Sequence, residues 1–305
     1  MGITVLIFVA SLIALIKGSD WFIESAERIG LSLGIPSFII GVTIVAFGTS
    51  LPELATSIIS VLEGQSDIVV GNVVGSNITN ILLVVGAVGL FAKRVPLRAN
   101  IMDIDIPMLI ISGLFLWFAL YDNVFSLMES LMFLGGLAIF LFHSFSGDDE
   151  EPMKRSRVRM KDVLLFIVGG VGVYIGARFT IESLIEMATA LNIGTEIIAV
   201  SLVALGTSLP EVVVSLAAVK RGQTDIAIGN VLGSNIFNTY AVMAVPSFIG
   251  TLHIPESITN FNLPFMVAVT IIFAFLCLSR QISRWEGMML LLLYFFFIGN
   301  LVTQV

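Results

Sequence analysis

Residues 48–53 read Gly-Thr-Ser-Leu-Pro-Glu, and the same six letters return at residues 206–211. A second block, Gly-Asn-Val-x-Gly-Ser-Asn-Ile-x-Asn, follows each copy at residues 71–80 and 229–238. The offset between the copies is constant and extends upstream to Gly18 and Gly176, so the repeat contains no gap. A polar, proline-containing motif repeated within an apolar chain predicts a pseudosymmetric membrane protein with its site where the copies meet.

The composition identifies the class of protein. Of the 305 residues 57% are hydrophobic and 12% charged, and the mean hydropathy is +1.03. A soluble domain of this size carries more charge, so the sequence predicts a polytopic membrane protein. The single cysteine, Cys277, excludes an internal disulfide and a cysteine-based metal cage. The net charge of −7 arises partly from acids beside apolar segments, and we expect no nucleic-acid partner.

Ten apolar segments approach the length of about 20 residues that spans a bilayer. They are residues 3–26, 38–62, 68–92, 106–121, 124–145, 163–191, 197–219, 226–249, 263–279 and 285–302. The predicted fold is therefore an all-α bundle of ten membrane helices, with a five-helix half at residues 1–145, a linker at 146–162 and a second half at 163–305.

Because five is odd, two similar halves joined directly cross the bilayer in opposite directions, which makes them inverted repeats. The distribution of basic residues supports this topology, since the positive-inside rule places basic connections in the cytoplasm. The linker carries Lys154, Arg155, Arg157, Arg159 and Lys161. The other predicted inner connections carry Arg28; Lys93, Arg94 and Arg98; Lys220 and Arg221; Arg280 and Arg284. We therefore expect both termini outside the cell and the linker inside.

Pro52 and Pro210 should break the second span of each half, because proline lacks an N–H group and clashes with the preceding turn. Backbone carbonyls at such breaks commonly bind cations in transporters. The expected donors are the carbonyls of Ala46, Ala204, Thr49 and Thr207. Glu53 and Glu211 follow each proline at about mid-span, where a carboxylate is costly unless a cation compensates its charge.

The third span of each half supplies a second wall. Its polar residues are one helical turn apart and share a face: Ser76 and Asn80 in one half, Ser234 and Asn238 in the other. The Gly-x-x-x-Gly spacing in the same segments would let this helix approach a broken one closely. Carboxylates, hydroxyls, amides and carbonyls form a set of hard oxygen ligands that suits Ca²⁺ or Na⁺ rather than zinc or copper.

The charge count favours exchange over one-way leakage. Two glutamates are neutralised by one Ca²⁺ or by two Na⁺, whereas an empty site leaves two unpaired carboxylates in a low-dielectric centre. Protonation would also discharge the site, so proton coupling stays open at this point.

The duplicated blocks resemble the two alpha-repeats of the cation/Ca²⁺ antiporter superfamily over nearly the whole chain, and are most similar to those of prokaryotic sodium/calcium exchangers. The resemblance implies that Glu53 and Glu211 are the central ligands. It further implies that Thr49, Ser50, Thr207 and Ser208 contribute hydroxyl or carbonyl oxygens, and that Ser76, Asn80, Ser234 and Asn238 complete the cage. The family alternates access by sliding the first span of each half.

Two departures from the family pattern matter. Potassium-dependent relatives carry an acid at the position of Asn238, so the amide here argues against potassium co-transport. The linker is too short to contain the calcium-sensing domain of animal relatives, and cytoplasmic Ca²⁺ regulation is not expected.

Three functional hypotheses remain. The first is Na⁺/Ca²⁺ exchange across the cell membrane, with transported ions as partners and with neither a prosthetic group nor enzymatic activity. The second is H⁺/Ca²⁺ antiport, because glutamates can carry protons. The third is a passive cation channel, which would more naturally use a symmetric ring and a continuous pore.

Outside the motif, Lys17, Asp20 and Arg178 are predicted to form ion pairs or to face water.

Overall fold

The structure, a computed structural model, describes residues 2–92, 94–97, 99–146, 157–190 and 206–304. The described chain is almost entirely helical, as the sequence predicts. The helices are α1 Gly2–Leu33, α2 Ser37–Leu62, α3 Asp67–Ala92, α4 Asp105–Ala119, α5 Leu127–Phe145, α6 Met160–Ala190, α7 Leu209–Lys220, α8 at residues 224–247, α9 Ile258–Cys277 and α10 Arg284–Gln304. Within the described residues, α1, α2, α3, α5, α6 and α9 are long and apolar enough to cross a membrane.

Two short antiparallel ribbons join connections that are distant in sequence. Strand β1 Arg94–Pro96 pairs with β4 Gln281–Ser283, which ties the α3–α4 connection to the α9–α10 connection. Strand β2 Val124–Phe125 pairs with β3 Leu252–His253 and ties the α4–α5 connection to the α8–α9 connection. Each ribbon therefore fixes one half of the chain to the other.

Helix α5 begins later than the apolar pattern predicts. The span was expected to start at residue 124, but residues 124 and 125 form strand β2, and the helix begins at Leu127. Ser126 caps it together with Glu129, whose carboxylate accepts a hydrogen bond of 2.6 Å from the Ser126 backbone N–H. This capping box defines the start of the helix more strongly than hydrophobicity does.

Helix α1 also extends further than expected. It runs to Leu33 instead of residue 26, and it ends where Gly34 adopts a φ of +79°. Arg28, which was predicted to lie in a connection, is inside the helix and pairs with Glu24 one turn earlier. The expected end at residue 26 was wrong because a charged residue paired at i,i+4 supports a helix as well as an apolar one does.

Helices α1 and α6 pack along each other in opposite directions. Thr4 near the start of α1 donates a hydrogen bond of 2.9 Å to Glu186 near the end of α6, and Arg28 meets Asp162 near the start of α6 at 3.4 Å. Between these ends the backbones approach closely at glycines. A Cβ added at Gly18 would lie 2.8 Å from the Val173 nitrogen. Small residues make such an approach possible.

Helices α3 and α8 occupy the centre of the bundle. About 78% of an 18-residue apolar stretch of α3 is buried. Every residue of α8 from Ile226 to Ile236 is buried as well. Polar groups on these helices are therefore removed from solvent and must find partners within the protein or bind a ligand.

Candidate functional site

The predicted break in α2 lies at Ser50. The backbone there has φ −90° and ψ 4°, and a new helical segment begins at Leu51 with Pro52 in its first turn. Pro52 has no N–H group to donate to the Gly48 carbonyl, so the helix cannot continue regularly. The second copy is similar, with φ −86° and ψ 0° at Ser208 and helix α7 starting at Leu209. The part of the expected seventh span before residue 206 lies outside the described residues.

Glu53 and Glu211 are both fully buried, with an exposed fraction of 0%. Among the described residues, neither carboxylate oxygen of Glu53 has a hydrogen-bond partner, and Oε2 of Glu211 has none. The other oxygen of Glu211 accepts a hydrogen bond of 3.4 Å from the Ser50 hydroxyl, which connects the two breaks. Buried carboxylates without partners are costly, so this arrangement indicates a site for a cation or protons.

The break in α2 faces helix α8 of the other half. The Thr49 hydroxyl lies 3.2 Å from Oδ1 of Asn230 and 3.4 Å from the hydroxyl of Ser234. Thr49 and Ser234 were both predicted as site residues, and the fold brings them together although they belong to different halves.

The second half repeats this geometry. The Thr207 hydroxyl lies 3.2 Å from Oδ1 of Asn72 and 3.2 Å from the hydroxyl of Ser76, both on α3. Each broken segment therefore packs its threonine against the third helix of the opposite half. A site built in this way contains groups from both repeats.

Asn80 and Asn238 lie further along α3 and α8, each at the start of a π-helical turn, Asn80–Val85 and Asn238–Val242. The Asn80 amide donates a hydrogen bond of 3.0 Å to Oδ1 of Asn235, while its own oxygen has no partner among the described residues. Both amide atoms of Asn238 are buried without such a partner. π-Helical turns are frequent at functional sites, and these two leave amide oxygens available to a ligand.

The other predicted donors are in varied situations. The Ser208 hydroxyl is buried and has no partner in the described part of the chain. The Ala46 carbonyl already accepts hydrogen bonds from the Ser50 N–H at 3.0 Å and the Thr49 hydroxyl at 3.3 Å. Both lone pairs of this oxygen are therefore engaged, and a cation would have to replace one of these hydrogen bonds. Ala204 lies outside the described residues.

Glycines allow α8 to approach α2 closely. A Cβ added at Gly229 would lie 2.5 Å from the Phe38 carbonyl oxygen, and one at Gly233 would lie 2.1 Å from that of Val42. The close approach predicted from the Gly-x-x-x-Gly spacing is confirmed here. In the other copy, the residues equivalent to 38 and 42 are 196 and 200, which lie outside the described residues.

Asn72 and Asn230 were not predicted as site residues from the sequence. Both are buried, and besides accepting from a motif threonine each donates to a serine, Asn72 to Ser57 at 3.1 Å and Asn230 to Ser215 at 3.0 Å. The signal was present, because Asn72 lies one helical turn before Ser76 on the same face.

The donor atoms at the two breaks are oxygens of carboxylate, hydroxyl, amide and carbonyl groups. Within the described residues, no group of three or more His, Cys, Asp and Glu side chains could hold a metal ion. Two carboxylates supplemented by neutral oxygens suit Ca²⁺ and Na⁺, which accept several oxygen ligands in adaptable geometry.

Comparison with known proteins agrees with this chemistry. The family model described as "Sodium/calcium exchanger protein" matches residues 3–146 and 161–303. The chain is 31% identical to the sodium/calcium exchanger MaX1 of Methanosarcina acetivorans, covering 96% of this chain and 97% of that protein. It is 34% identical to the uncharacterized membrane protein MJ0091 of Methanocaldococcus jannaschii, with 96% of each covered. The solved structure of the sodium-calcium exchanger NCX_Mj soaked with Na⁺ and Sr²⁺ superimposes with a TM-score of 0.86 at 32% identity, covering 97% of this chain and 98% of that one.

Proposed function

The chain belongs to the sodium/calcium exchanger protein family, and we propose that it is a secondary active antiporter that exchanges Na⁺ for Ca²⁺ across the cell membrane by alternating access. One observation carries the proposal. Glu53 and Glu211 are fully buried, and three of their four carboxylate oxygens have no hydrogen-bond partner among the described residues. Such a pair requires a positive load, and the described residues form no ion pair with either carboxylate.

The charge of the pair determines which loads fit. Two ionised carboxylates carry −2, which one Ca²⁺ or two Na⁺ would neutralise, and the surrounding hydroxyl and amide oxygens replace water of hydration. The empty, ionised site is the costly state. A carrier with such a site switches between its two access states more readily with a cation bound than with the site empty. This preference couples the transport of Na⁺ to that of Ca²⁺.

The ligands belong to four segments. We assign Glu53 and Glu211 as the charged ligands common to both ions. The neutral ligands are Thr49, Ser50, Thr207, Ser208, Ser76, Asn80, Ser234 and Asn238, with the carbonyls of Ala46 and Ala204. The cross-packing of Thr49 on α8 and of Thr207 on α3 supports a shared site, because it places groups from both halves side by side.

We place the termini outside the cell, the linker at 146–162 in the cytoplasm, and the five-helix halves at 1–145 and 163–305. The family model matches two stretches that are interrupted between residues 146 and 161, inside the expected linker. The antiparallel packing of α1 and α6, the first helix of each half, agrees with halves that cross the membrane in opposite directions.

The test is ⁴⁵Ca²⁺ uptake into proteoliposomes loaded with Na⁺, with K⁺ or at acidic pH, with the external ions varied. Uptake against a Ca²⁺ gradient that requires internal Na⁺ is the expected result. Accumulation that follows the pH gradient and ignores Na⁺ would instead establish H⁺/Ca²⁺ antiport. Flux that only runs down the Ca²⁺ gradient would establish a channel.

A further inference from the structure

Two buried asparagines connect the broken helices of the two halves. The Asn72 side-chain nitrogen donates to the Glu53 carbonyl at 3.2 Å and to the Ser57 hydroxyl at 3.1 Å, both on α2. Its Oδ1 accepts from the Thr207 hydroxyl at 3.2 Å. A backbone carbonyl can only accept, so the Glu53 carbonyl fixes the orientation of the amide and leaves Oδ1 facing Thr207.

The equivalent asparagine makes two of these three bonds. Asn230 donates to the Ser215 hydroxyl at 3.0 Å, and its Oδ1 accepts from the Thr49 hydroxyl at 3.2 Å, a proton for which the Ala46 carbonyl at 3.3 Å is a second acceptor. Each asparagine therefore bonds to the broken helix of its own half through its nitrogen and to the threonine of the opposite half through its oxygen.

A threonine hydroxyl has one proton and two lone pairs, and the proton rotates to suit its surroundings. A cation beside the oxygen needs the lone pairs and is repelled by the proton. We propose that Asn72 and Asn230 are positioning residues that hold the hydroxyl protons of Thr207 and Thr49, so that each threonine oxygen presents only lone pairs to the cation. This inference rests on the proposed function, because it presumes that the threonines are ligands.

The test is a double-mutant cycle on equilibrium ⁴⁵Ca²⁺ binding to the purified protein. Asn72→Ala should raise the Ca²⁺ dissociation constant by about 10- to 100-fold, the usual loss when a group that orients a metal ligand is removed. In a Thr207→Val background the same substitution should change the constant less than about twofold, because there is no hydroxyl left to orient. Asn77→Ala is the matched control, because Asn77 is a buried asparagine on the same helix as Asn72, and it donates to a different threonine, Thr239 of α8, at 2.9 Å.

Equal losses in both backgrounds would overturn the inference, since a merely structural asparagine weakens the site whether or not the hydroxyl is present. The cycle of Asn230→Ala with Thr49→Val is the independent second copy, and decides the question if Asn72→Ala fails to fold. Failure of the proposed function looks different: the wild-type protein would bind Ca²⁺ with the cycle intact and yet show no Na⁺-dependent uptake.

A separate observation concerns the ends of the bundle. Arg221, at the C-terminal end of α7, lies 2.8 Å from a Glu24 carboxylate oxygen and 3.9 Å from one of Asp20, both on α1. Glu24 also pairs with Arg28, which lies 3.4 Å from Asp162 on α6. These ion pairs fasten the α1–α6 pair to α7 at one end.

At the opposite end, the residues equivalent to Asp20 and Arg221 carry exchanged charges. The repeat equivalents of Asp20 and Arg221 are Arg178 and Glu63. The backbone at Glu63, with φ −86° and ψ 1°, matches that at Arg221, with φ −87° and ψ 2°, and each is followed by a glycine of positive φ. The Asp20–Arg221 combination therefore has an attractive counterpart with both signs reversed, whereas Glu24 corresponds to Glu182 and keeps its sign.

In this structure the second pair is not formed. Arg178 bonds to Glu182 on its own helix at 2.7 Å, and Glu63 has no ion-pair partner in the described part of the chain. Alternating access rocks one bundle against the other around a fixed site, so that contacts form at one end as they open at the other. We infer that Arg178 and Glu63 pair in the opposite access state, while the contacts of Arg221 with Asp20 and Glu24 open. This inference also rests on the proposed function.

The test measures the distance between α2 and α6 at the end where Glu63 and Arg178 lie. Spin labels are placed at the exposed residues Leu62 and Leu184 in a Cys277→Ala background, and the distance is measured by pulsed electron resonance. Glu63→Lys and Arg178→Glu should each lower the population with the shorter distance by about two- to fivefold, as an exposed ion pair allows. Arg221→Glu should raise it, and the exchanged double variant Glu63→Arg with Arg178→Glu should restore it. Glu256→Lys, at an exposed position, is the control. The inference would be overturned if the single variants gave the same short-distance population as this control, or if the exchanged double variant did not restore that population. Absence of Ca²⁺ uptake by the wild type would bear only on the proposed function.

Discussion

Gly233→Ala probes the seating of α8 on α2. An added Cβ would lie 2.1 Å from the Val42 carbonyl oxygen and 2.7 Å from the Ala46 Cβ. The first obstacle is backbone, so no side-chain rotation can relieve the contact. The two helices must separate by about 1 Å to restore an ordinary contact distance, and this kind of overpacking typically costs about 1–3 kcal/mol.

The same displacement should weaken cation binding. Thr49 lies 3.4 Å from Ser234 on the helix that must move, so the oxygens at the break lose their arrangement. The matched control is Gly135→Ala on α5, where nothing lies within 4 Å of the added Cβ. Alanine in the interior of a helix stabilises it by about 0.5–1 kcal/mol relative to glycine.

Cys277 supplies the assay. It is the single cysteine in the sequence and is fully buried, so a thiol-reactive fluorescent dye reports unfolding in detergent. We expect Gly233→Ala to melt at least about 2 °C below the wild type, given the size of the overpacking cost, and to lose Ca²⁺ uptake. Gly135→Ala should melt at or above the wild-type temperature with full uptake. A Gly233→Ala protein as stable and as active as the wild type would refute the close packing of α8 on α2.

Glu53→Gln and Glu211→Gln should each abolish Ca²⁺ transport in protein that still inserts and migrates as wild type in gel filtration, since one carboxylate leaves a bound Ca²⁺ with net positive charge in a low dielectric; robust uptake by both variants would contradict the site. Cysteines at Ser66 and Ser257 should react with an impermeant reagent from outside, and one at Ser156 only after permeabilisation; labelling at Ser156 in intact cells would reverse the orientation. Na⁺ on the same face should raise the Ca²⁺ concentration for half-maximal uptake, because both loads neutralise the same carboxylates; an unchanged value would mean separate sites.

Much of the fold followed from apolar length. The observed α3 differs from the predicted segment by one residue at its start, because a continuous apolar run leaves little choice about what enters a bilayer. Boundaries set by polar contacts were less predictable. Helix α1 continues through Arg28, which forms an ion pair within the helix. Helix α5 begins only after the cap at Ser126, because residues 124 and 125 pair with a distant strand.

The candidate site divides in the same way. The identity of Glu53 and Glu211 came from the duplicated motif, because a carboxylate beside a proline in mid-span needs a special reason. The contacts around these two residues could not be predicted from the motif. The sequence favoured the Ala46 carbonyl as a free donor, whereas its oxygen already accepts two hydrogen bonds, and it gave no weight to Asn72 and Asn230.

The sequence by itself determined that this chain is a duplicated membrane protein with a pair of mid-span glutamates beside helix breaks. These properties depend on composition, spacing and proline, which act locally along the chain. Only the tertiary structure decided that Thr49 packs on α8 and Thr207 on α3, across the halves, and that Arg221 holds α1 at one end while Glu63 at the other stands apart from Arg178. Such pairings depend on which helices are neighbours in space, and the repeat alone is compatible with partners within a half or between halves.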